Sequence, residues 1–373
     1  MNHRPAIACA AKHTLLFQHR TERRPGLSLG IAIVLGFVAA GCGSDATSSP
    51  TVANVITSEA VNSQTETTTS APAETASPAE TTASTQAETT TLAPALVDGT
   101  FAFGKSLAGQ AADIYVSAAD GTAETRLTTD AGFDACANFT PDGSGIAFCS
   151  NRSGSLEIWM MNRDGTNQHQ VTQIGGASIF PEVSPDGTKI VFSSSPDADT
   201  PDGETDIWVI NVDGTGLTQL TTAGGADAYA TWSPDGLQLA WVSHQSGATE
   251  IWAMNADGSN PHALTTDTTF KDQLPDWSPD GSKIAYESAG VCTGSTCPGH
   301  IFIMSADGTS PVQITTAAGD DFGPAWSPDG TRVAFARTLS GSQFLRVVNA
   351  DGTDERALFN DGKYAVPDWI AGS

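Results

Sequence analysis

Four aspartates recur at one position of a repeating pattern, and they are the strongest candidates for chemistry in this sequence. Each lies five residues before an aromatic residue: Asp134, Asp227, Asp272 and Asp321. Two further copies of the pattern carry Ser178 and Tyr364 there. Carboxylates that converge from several copies could bind a cation, or the amine of a peptide or protein. An aspartate can equally cap its own loop by accepting backbone N–H groups, so both interpretations stay open.

A second acidic set lies closer to the same aromatic position. Glu182, Asp276 and Asp368 each stand one residue before it. If the copies surround an axis, these side chains could line a central channel below its mouth. We predict no cofactor; a calcium ion at the channel mouth is the alternative.

Other catalytic patterns are missing from the sequence. The four histidines after residue 41 do not recur at one repeat position, and there is no Gly-x-Ser-x-Gly sequence. We therefore predict no catalytic residue and a non-enzymatic protein. The alternative is a calcium-dependent hydrolase of an ester or lactone, in which a bound ion polarises the substrate and a carboxylate moves protons.

Two alternating series of Asp-Gly turns position these residues. The turn aspartates, six in each series, are Asp98, Asp142, Asp186, Asp235, Asp280 and Asp329, and then Asp120, Asp164, Asp213, Asp257, Asp307 and Asp351. Neighbours within a series are 44 to 50 residues apart. Four short apolar runs separated by turns fill each period, which predicts four antiparallel strands per repeat. Six such repeats predict an all-β, six-bladed β-propeller.

Variation in repeat length is confined to one connection. The extra residues lie between the second and third strands of two repeats, in the segments 193–206 and 288–300. Strand alternation places both turn series on one face of the ring and these long loops on the other. Variable loops on a fixed scaffold commonly carry binding, so we predict that the loop face binds the partner.

The ends of the repeat region predict how the ring closes. The first copy begins at Asp98 and lacks an inner strand, whereas the chain ends with Pro367-Asp368-Trp369, which matches Pro275-Asp276-Trp277. The segment 365–370 should supply the missing strand of the first blade and remove an exposed sheet edge.

Two recurring motifs resemble the TolB-type propeller repeat. They are Trp-Ser-Pro-Asp-Gly, at Trp232, Trp277 and Trp326, and Ile-Trp-x-x-Asn-x-Asp-Gly, at Ile158, Ile207 and Ile251. The resemblance covers the last three quarters of the chain and implies the propeller fold. TolB itself carries an α/β domain before its propeller, and nothing in this sequence resembles one.

The first 96 residues have two different compositions. Residues 1–41 combine a basic start, an apolar run and Ala39-Ala40-Gly41-Cys42, which resembles a bacterial lipobox. We predict a lipoprotein signal peptide with Cys42 as the lipidated residue. Residues 42–96 are rich in Thr, Ser, Ala, Pro and Glu and contain no Lys or Arg, which predicts a disordered linker. The propeller should occupy residues 97–373.

The charge of the chain after residue 41 excludes one class of partner. It holds 12 basic and 41 acidic residues, a net charge near −29. A nucleic-acid partner is therefore not expected. The lipid anchor would be the only membrane contact, and we predict an exported protein held on the extracytoplasmic or periplasmic side of a cell membrane.

Four cysteines remain after the signal peptide and Cys42. Cys292 and Cys297 bracket a long loop, and we predict that a disulfide joins them. Cys136 and Cys149 flank a hairpin. One register places Cys136 opposite Phe148, with Cys149 on the other face, whereas a shift of one residue makes the two cysteines a direct pair. The sequence leaves that second disulfide open.

Taken with the anchor and the linker, these features favour a membrane-anchored scaffold. Its partner would be a protein or peptide of the cell envelope, bound on the loop face of the propeller.

Overall fold

The computed structural model describes residues 99–106, 110–195, 205–290, 298–340, 342–362 and 367–371. All of the regular elements within them are β-strands, which form six antiparallel sheets of four strands each. The predicted all-β, six-bladed propeller is confirmed. No helix with the length and hydrophobicity of a membrane span occurs in these ranges.

Each sheet is one blade. Blades 1 to 3 contain β24 (Asp368–Ala371), β1 (Gly99–Ser106), β2 (Ala112–Ala118) and β3 (Thr125–Arg126); β4 (Asp134–Phe139), β5 (Gly145–Ser150), β6 (Glu157–Asn162) and β7 (His169–Gln170); and β8 (Ala177–Val183), β9 (Lys189–Ser195), β10 (Asp206–Asn211) and β11 (Thr218–Gln219). Blades 4 to 6 contain β12 (Asp227–Trp232), β13 (Gln238–Ser243), β14 (Glu250–Asn255) and β15 (His262–Ala263); β16 (Lys271–Trp277), β17 (Lys283–Ala289), β18 (Gly299–Ser305) and β19 (Val312–Gln313); and β20 (Asp320–Trp326), β21 (Arg332–Leu339), β22 (Ser342–Asn349) and β23 (Arg356–Gly362).

The C-terminal strand closes the ring as predicted. β24 pairs with β1 in antiparallel register, with Phe101 opposite Trp369. The two rings lie 4.8 Å apart between centroids, and Trp369 is only 6% exposed. Blade 1 is therefore built from both ends of the described chain, and the inner edge of β1 is covered.

The Asp-Gly turns use side chains as well as glycine. In the turn of blade 4, Ser233 Oγ donates to Asp235 Oδ1 at 2.6 Å, and the backbone N–H of Leu237 donates to the same oxygen at 3.0 Å. Gly236 has a φ of 70°, a left-handed conformation that glycine adopts without strain. The carboxylate and the glycine together fix the reversal between the first two strands.

A threonine ends the outermost strand of five blades. The backbone N–H of an isoleucine in the third strand donates to the threonine Oγ1 at 2.8 to 3.0 Å. These pairs are Ile114 with Thr128, Ile158 with Thr172, Ile207 with Thr221, Ile251 with Thr265, and Ile301 with Thr315. In these blades the outer strand has two residues, whereas β23 of blade 6, whose sequence has Phe359 at that position, has seven.

Hydrophobic packing lies between neighbouring blades. One core cluster joins Trp232, Leu239 and Trp241 of blade 4 to Val191 and Ile207 of blade 3. Another joins Trp326 and Phe335 of blade 6 to Ile301 of blade 5. The tryptophans thus pack neighbouring blades together.

Candidate binding site in the central channel

The inner strands of the six blades surround a channel with a cavity of about 290 Å³. Most of its wall consists of three successive residues from each inner strand. In blade 3 these are Phe180, Pro181 and Glu182, and in blade 5 they are Leu274, Pro275 and Asp276. Each repeat therefore contributes residues from equivalent positions of its inner strand to the channel wall.

A β-bulge in the inner strand of each of blades 2 to 6 directs these residues. The ladder between the first two strands of blade 3 pairs Ile179 with Ser193 and then resumes with Glu182 opposite Val191. Phe180 and Pro181 therefore both lie opposite the single residue between them, Phe192. The first bulge residue has positive φ in every case: Cys136 (57°), Phe180 (55°), Tyr229 (56°), Leu274 (53°) and Gly323 (59°). A bulge breaks the alternation of side chains and re-aims the residue that carries it.

Three acidic side chains occupy alternate blades of the wall. Asp368 lies in blade 1, Glu182 in blade 3 and Asp276 in blade 5, all half-buried against the channel. The intervening blades present Asn138, Thr231 and Ala325 at the same level. The structure thus places all three residues of the predicted lining set on the channel wall.

Each of these carboxylates also bonds the next blade. Asp368 Oδ2 accepts the backbone N–H of Phe139 at 2.6 Å, Glu182 Oε1 that of Trp232 at 2.9 Å, and Asp276 Oδ2 that of Trp326 at 2.7 Å. At the boundary of blades 2 and 3, Asn138 Oδ1 plays the same part, because it accepts the N–H of Val183 at 3.1 Å. These wall residues therefore hold neighbouring blades together as well as line the channel.

Burial controls the ionisation of the three carboxyl groups. It raises the pKa of Asp276 to about 7 and that of Asp368 to about 6, although backbone N–H donors act in the opposite direction. Burial also raises the pKa of Glu182 well above its usual range, and the charges of Asp276 and Asp368 raise it further. The channel is therefore only partly charged near neutral pH.

The four recurrent aspartates do not surround the channel mouth. Asp134, Asp227, Asp272 and Asp321 are 0 to 4% exposed, and none of them lines the channel cavity. They lie inside their blades because they precede the bulge, where side chains still point into the sheet packing. The prediction that these four carboxylates form an accessible circle at the channel mouth is therefore wrong.

Each of the four has a partner within its own blade. Asp134 and Asp321 form ion pairs with Arg152 and Arg337. Asp272 Oδ1 accepts the Ser288 hydroxyl at 2.6 Å, and Asp227 Oδ1 accepts the indole N–H of Trp241 at 3.2 Å. These contacts favour a structural role for the four aspartates over a ligand site. They differ from the expected loop caps in that the partners are side chains of the same blade rather than backbone amides of a loop.

A disulfide joins Cys136 and Cys149, whose Cα atoms lie 5.6 Å apart. Cys136 and Ala137 share the bulge opposite Phe148, because Ala135 pairs with Cys149 and Asn138 pairs with Ala147. Cys136 therefore opposes Phe148, as one sequence interpretation held, but its positive φ turns the side chain to the face of Cys149. Cys136 also lines the channel.

The other predicted site residues lie outside the described ranges. This is true of Cys42 and of the pair Cys292 and Cys297. The long loops are described only up to Ser195 and from Thr205, and up to Gly290 and from Pro298. Their roles stay predictions.

No metal centre is evident within the described part of the chain. There, no three His, Cys, Asp or Glu side chains lie close enough together to hold a metal ion. Calcium binding stays the alternative to the prediction of no cofactor, and elemental analysis of protein purified without chelator would test it.

Sequence reasoning missed the bulge and with it the apolar mouth of the channel. Phe180, Tyr229 and Leu274 are half-buried there, and the Phe180 and Tyr229 rings lie 4.2 Å apart between centroids. The available signal was the proline at the second bulge position of three blades, Pro181, Pro275 and Pro324. Proline inside a strand marks a place where the hydrogen-bond ladder is interrupted.

Comparison with known proteins identifies the same architecture. Residues 73–200 and 197–371 match the family model of the TolB beta propeller domain. TolB from Acinetobacter baumannii is similar in structure, with a TM-score of 0.62 and 21% identity over 73% of this chain and 66% of that chain. This chain thus spans just under two thirds of that TolB.

Two other solved structures share the fold. A putative TolB from Agrobacterium tumefaciens matches with a TM-score of 0.57 and 19% identity over 73% of this chain and 92% of that chain. Hydrazine synthase from Kuenenia stuttgartiensis matches with a TM-score of 0.60 and 17% identity, over 74% and 47%. None of the curated proteins matches the chain in sequence. At these identities the structural matches define the fold alone.

Proposed function

This chain belongs to the TolB beta propeller family, and we propose that it is a non-enzymatic scaffold that binds a protein or peptide of the cell envelope. The binding site we assign is the central channel and its mouth on the loop face. Its partner would place an apolar side chain at the mouth and a basic group against the acidic wall.

The observation that carries this proposal is the set of bulky residues held at the channel mouth with positive φ. Phe180, Tyr229 and Leu274 have φ values of 53 to 56°, which costs free energy for residues of this size. Such strain persists only where the surrounding structure imposes it, and it is commonly found at binding sites. Here it exposes apolar surface beside Glu182 and Asp276 in a concave site.

The predicted location supports the same function. A lipid on Cys42 would hold the protein at a membrane, and residues 42–96 would let the propeller search for partners at a distance from it. The TolB architecture of the propeller is compatible with an extracytoplasmic position. Mass spectrometry of the purified protein would test the lipid on Cys42.

Site-specific photo-crosslinking in cells tests the binding site. A photoreactive residue at position 274 should give discrete crosslinked species with an envelope protein or peptide. The matched control is position 237, since Leu237 is a 66% exposed leucine on the opposite, turn face. If position 274 gives no product, or both positions give the same ones, the channel mouth is not the binding site.

A second arm tests the loops. Shortening segment 193–206 or 288–300 should weaken the crosslink at position 274 if the loop face contributes to binding. Unchanged crosslinking in both variants would restrict the site to the channel mouth.

A further inference from the structure

The hydrogen bonds that join neighbouring blades around the channel are not chemically equivalent. At three boundaries the acceptor is a carboxyl group, that of Asp368, Glu182 or Asp276, and at the boundary of blades 2 and 3 it is the neutral amide of Asn138. All four accept from the equivalent backbone N–H group, that of the residue directly after the wall residue of the next blade. Only the carboxyl groups can change charge with pH.

The groups that face these three carboxyls offer no compensating positive charge. Thr231 Oγ1 lies 3.1 Å from Glu182 Oε1, and the remaining wall positions at this level are Asn138 and Ala325. No Lys, Arg or His occurs among the described residues that line the channel. The other titratable group on the wall is Tyr229, whose pKa burial raises still further from neutrality.

We propose that Glu182, Asp276 and Asp368 form a pH-sensitive joint of the propeller ring, protonated and stable in mildly acidic medium and charged and weaker in mildly alkaline medium. The joint acts at alternate blade boundaries, so its ionisation affects the whole ring. The ionisation of these carboxyl groups also changes the charge of the channel. The effect of that charge on partner binding rests on the proposed function.

The direction of the effect follows from proton linkage. Burial raises the pKa of Asp276 to about 7 and of Asp368 to about 6, above the value of about 4 for an unfolded aspartate. The folded protein therefore holds these protons at pH values where the unfolded chain has lost them. The stability that they contribute is complete below pH ~4 and is lost as the pH rises through 6 and 7.

Thermal unfolding of the full chain between pH 5 and pH 8 tests the proposal. The melting temperature of the wild type should fall over this range, and the fall should be smaller by about 5 °C in the Asp276→Asn/Asp368→Asn variant. Asn138→Asp, which adds a fourth carboxyl at an equivalent joint, should steepen the fall. Glu287, whose pKa burial raises to about 8, is present in all of these proteins and cancels in the comparison.

Equal pH dependence in the wild type and the double variant would overturn the proposal. If the variants do not fold, carboxyl-carbon NMR titration of the wild type decides instead: the resonances assigned to Asp276 and Asp368 should titrate above pH 5.5, and titration of both below pH 5 would contradict the proposal. Neither measurement needs a partner. The joint and the proposed function can therefore fail independently of each other.

Discussion

Asp276 and Asp280 lie four residues apart, yet their surroundings move their pKa values in opposite directions. Burial in the channel wall raises the pKa of Asp276 to about 7. Hydrogen bonds from the Ser278 hydroxyl and from the backbone and hydroxyl of Ser282 lower the pKa of Asp280 to about 2. The residue type alone thus says little about ionisation, because the donors and the solvent around the carboxyl decide it.

The turn aspartates should make the propeller sensitive to strong acid. Since the folded pKa of Asp280 is below its unfolded value, the stability that it contributes is present above pH ~4 and is lost as the pH falls towards 2. Asp280→Asn should lower the melting temperature at pH 7 and have little effect at pH 2, as followed by circular dichroism. An equal loss at both pH values would mean that the charge is unimportant.

Two of the buried aspartates should differ in what their replacement costs. Asp321 binds Arg337 through both oxygens, and the two side chains are 0% and 5% exposed. Asp321→Asn removes the more buried of the two carboxylates paired with the Arg337 guanidinium, leaving Glu355 alone against it, and should lower the free energy of unfolding by about 3 kcal/mol.

Asp272→Asn is the matched comparison. It keeps an oxygen that can accept from the Ser288 hydroxyl and removes a charge that burial disfavours, so the loss should be at most about 1 kcal/mol. Denaturant titration measures both values. A loss for Asp272→Asn as large as that for Asp321→Asn would show that the ion pair is not what distinguishes the two sites.

At the scale of the element, short polar contacts decide where strands end. In five blades a threonine hydroxyl accepts a backbone N–H of the third strand, and the outer strand stops after two residues. Short outer strands leave little free edge for pairing with other chains. The seven-residue β23 has no such threonine in its sequence, which accounts for its continued pairing with β22.

Thr265→Val should test this contact. Valine keeps the shape but has no acceptor, so the backbone N–H of Ile251 loses its partner at 3.0 Å. We expect the free energy of unfolding to fall by about 1 to 2 kcal/mol. The change in hydrogen exchange should centre on blade 4 and on the start of β16, because the Thr265 hydroxyl also bonds Asp272, and Thr266→Val serves as the neighbouring control.

At the scale of the whole molecule, stability depends on closing the ring. β24 covers the edge of β1, and Trp369 packs on Phe101 in the cluster shared with Ala334 and Val347 of blade 6. The last strand therefore links blades 1 and 6 through both hydrogen bonds and hydrophobic packing.

Truncation before Tyr364 should aggregate the protein or lower its melting temperature sharply. Removing the buried Trp369 alone should cost about 3 to 5 kcal/mol, a large share of the stability of a typical domain. Trp369→Phe, which keeps most of the packing, should recover much of the loss. An unchanged melting temperature after truncation would refute closure by this strand.

The sequence by itself determined the blade number, the strand order and the closure of the ring. Regularly spaced Asp-Gly turns specify where the chain reverses, and turn chemistry is local, so Asp142 or Asp257 can be read without knowing what surrounds it. The same holds for Asp368 and Trp369, whose match to Asp276 and Trp277 showed where the last strand belongs.

Only the tertiary structure decided which carboxylates face the channel. Alternation along a strand has a period of two, but the bulge at Tyr229 and its equivalents inserts one residue and reverses the faces beyond it. Asp227, before the bulge, is consequently buried in its blade, whereas Asp276, beyond the bulge of its own strand, and Asp368, at the equivalent wall position of blade 1, reach the channel. Their pKa values depend on desolvation and on charges from other blades, which no local pattern contains.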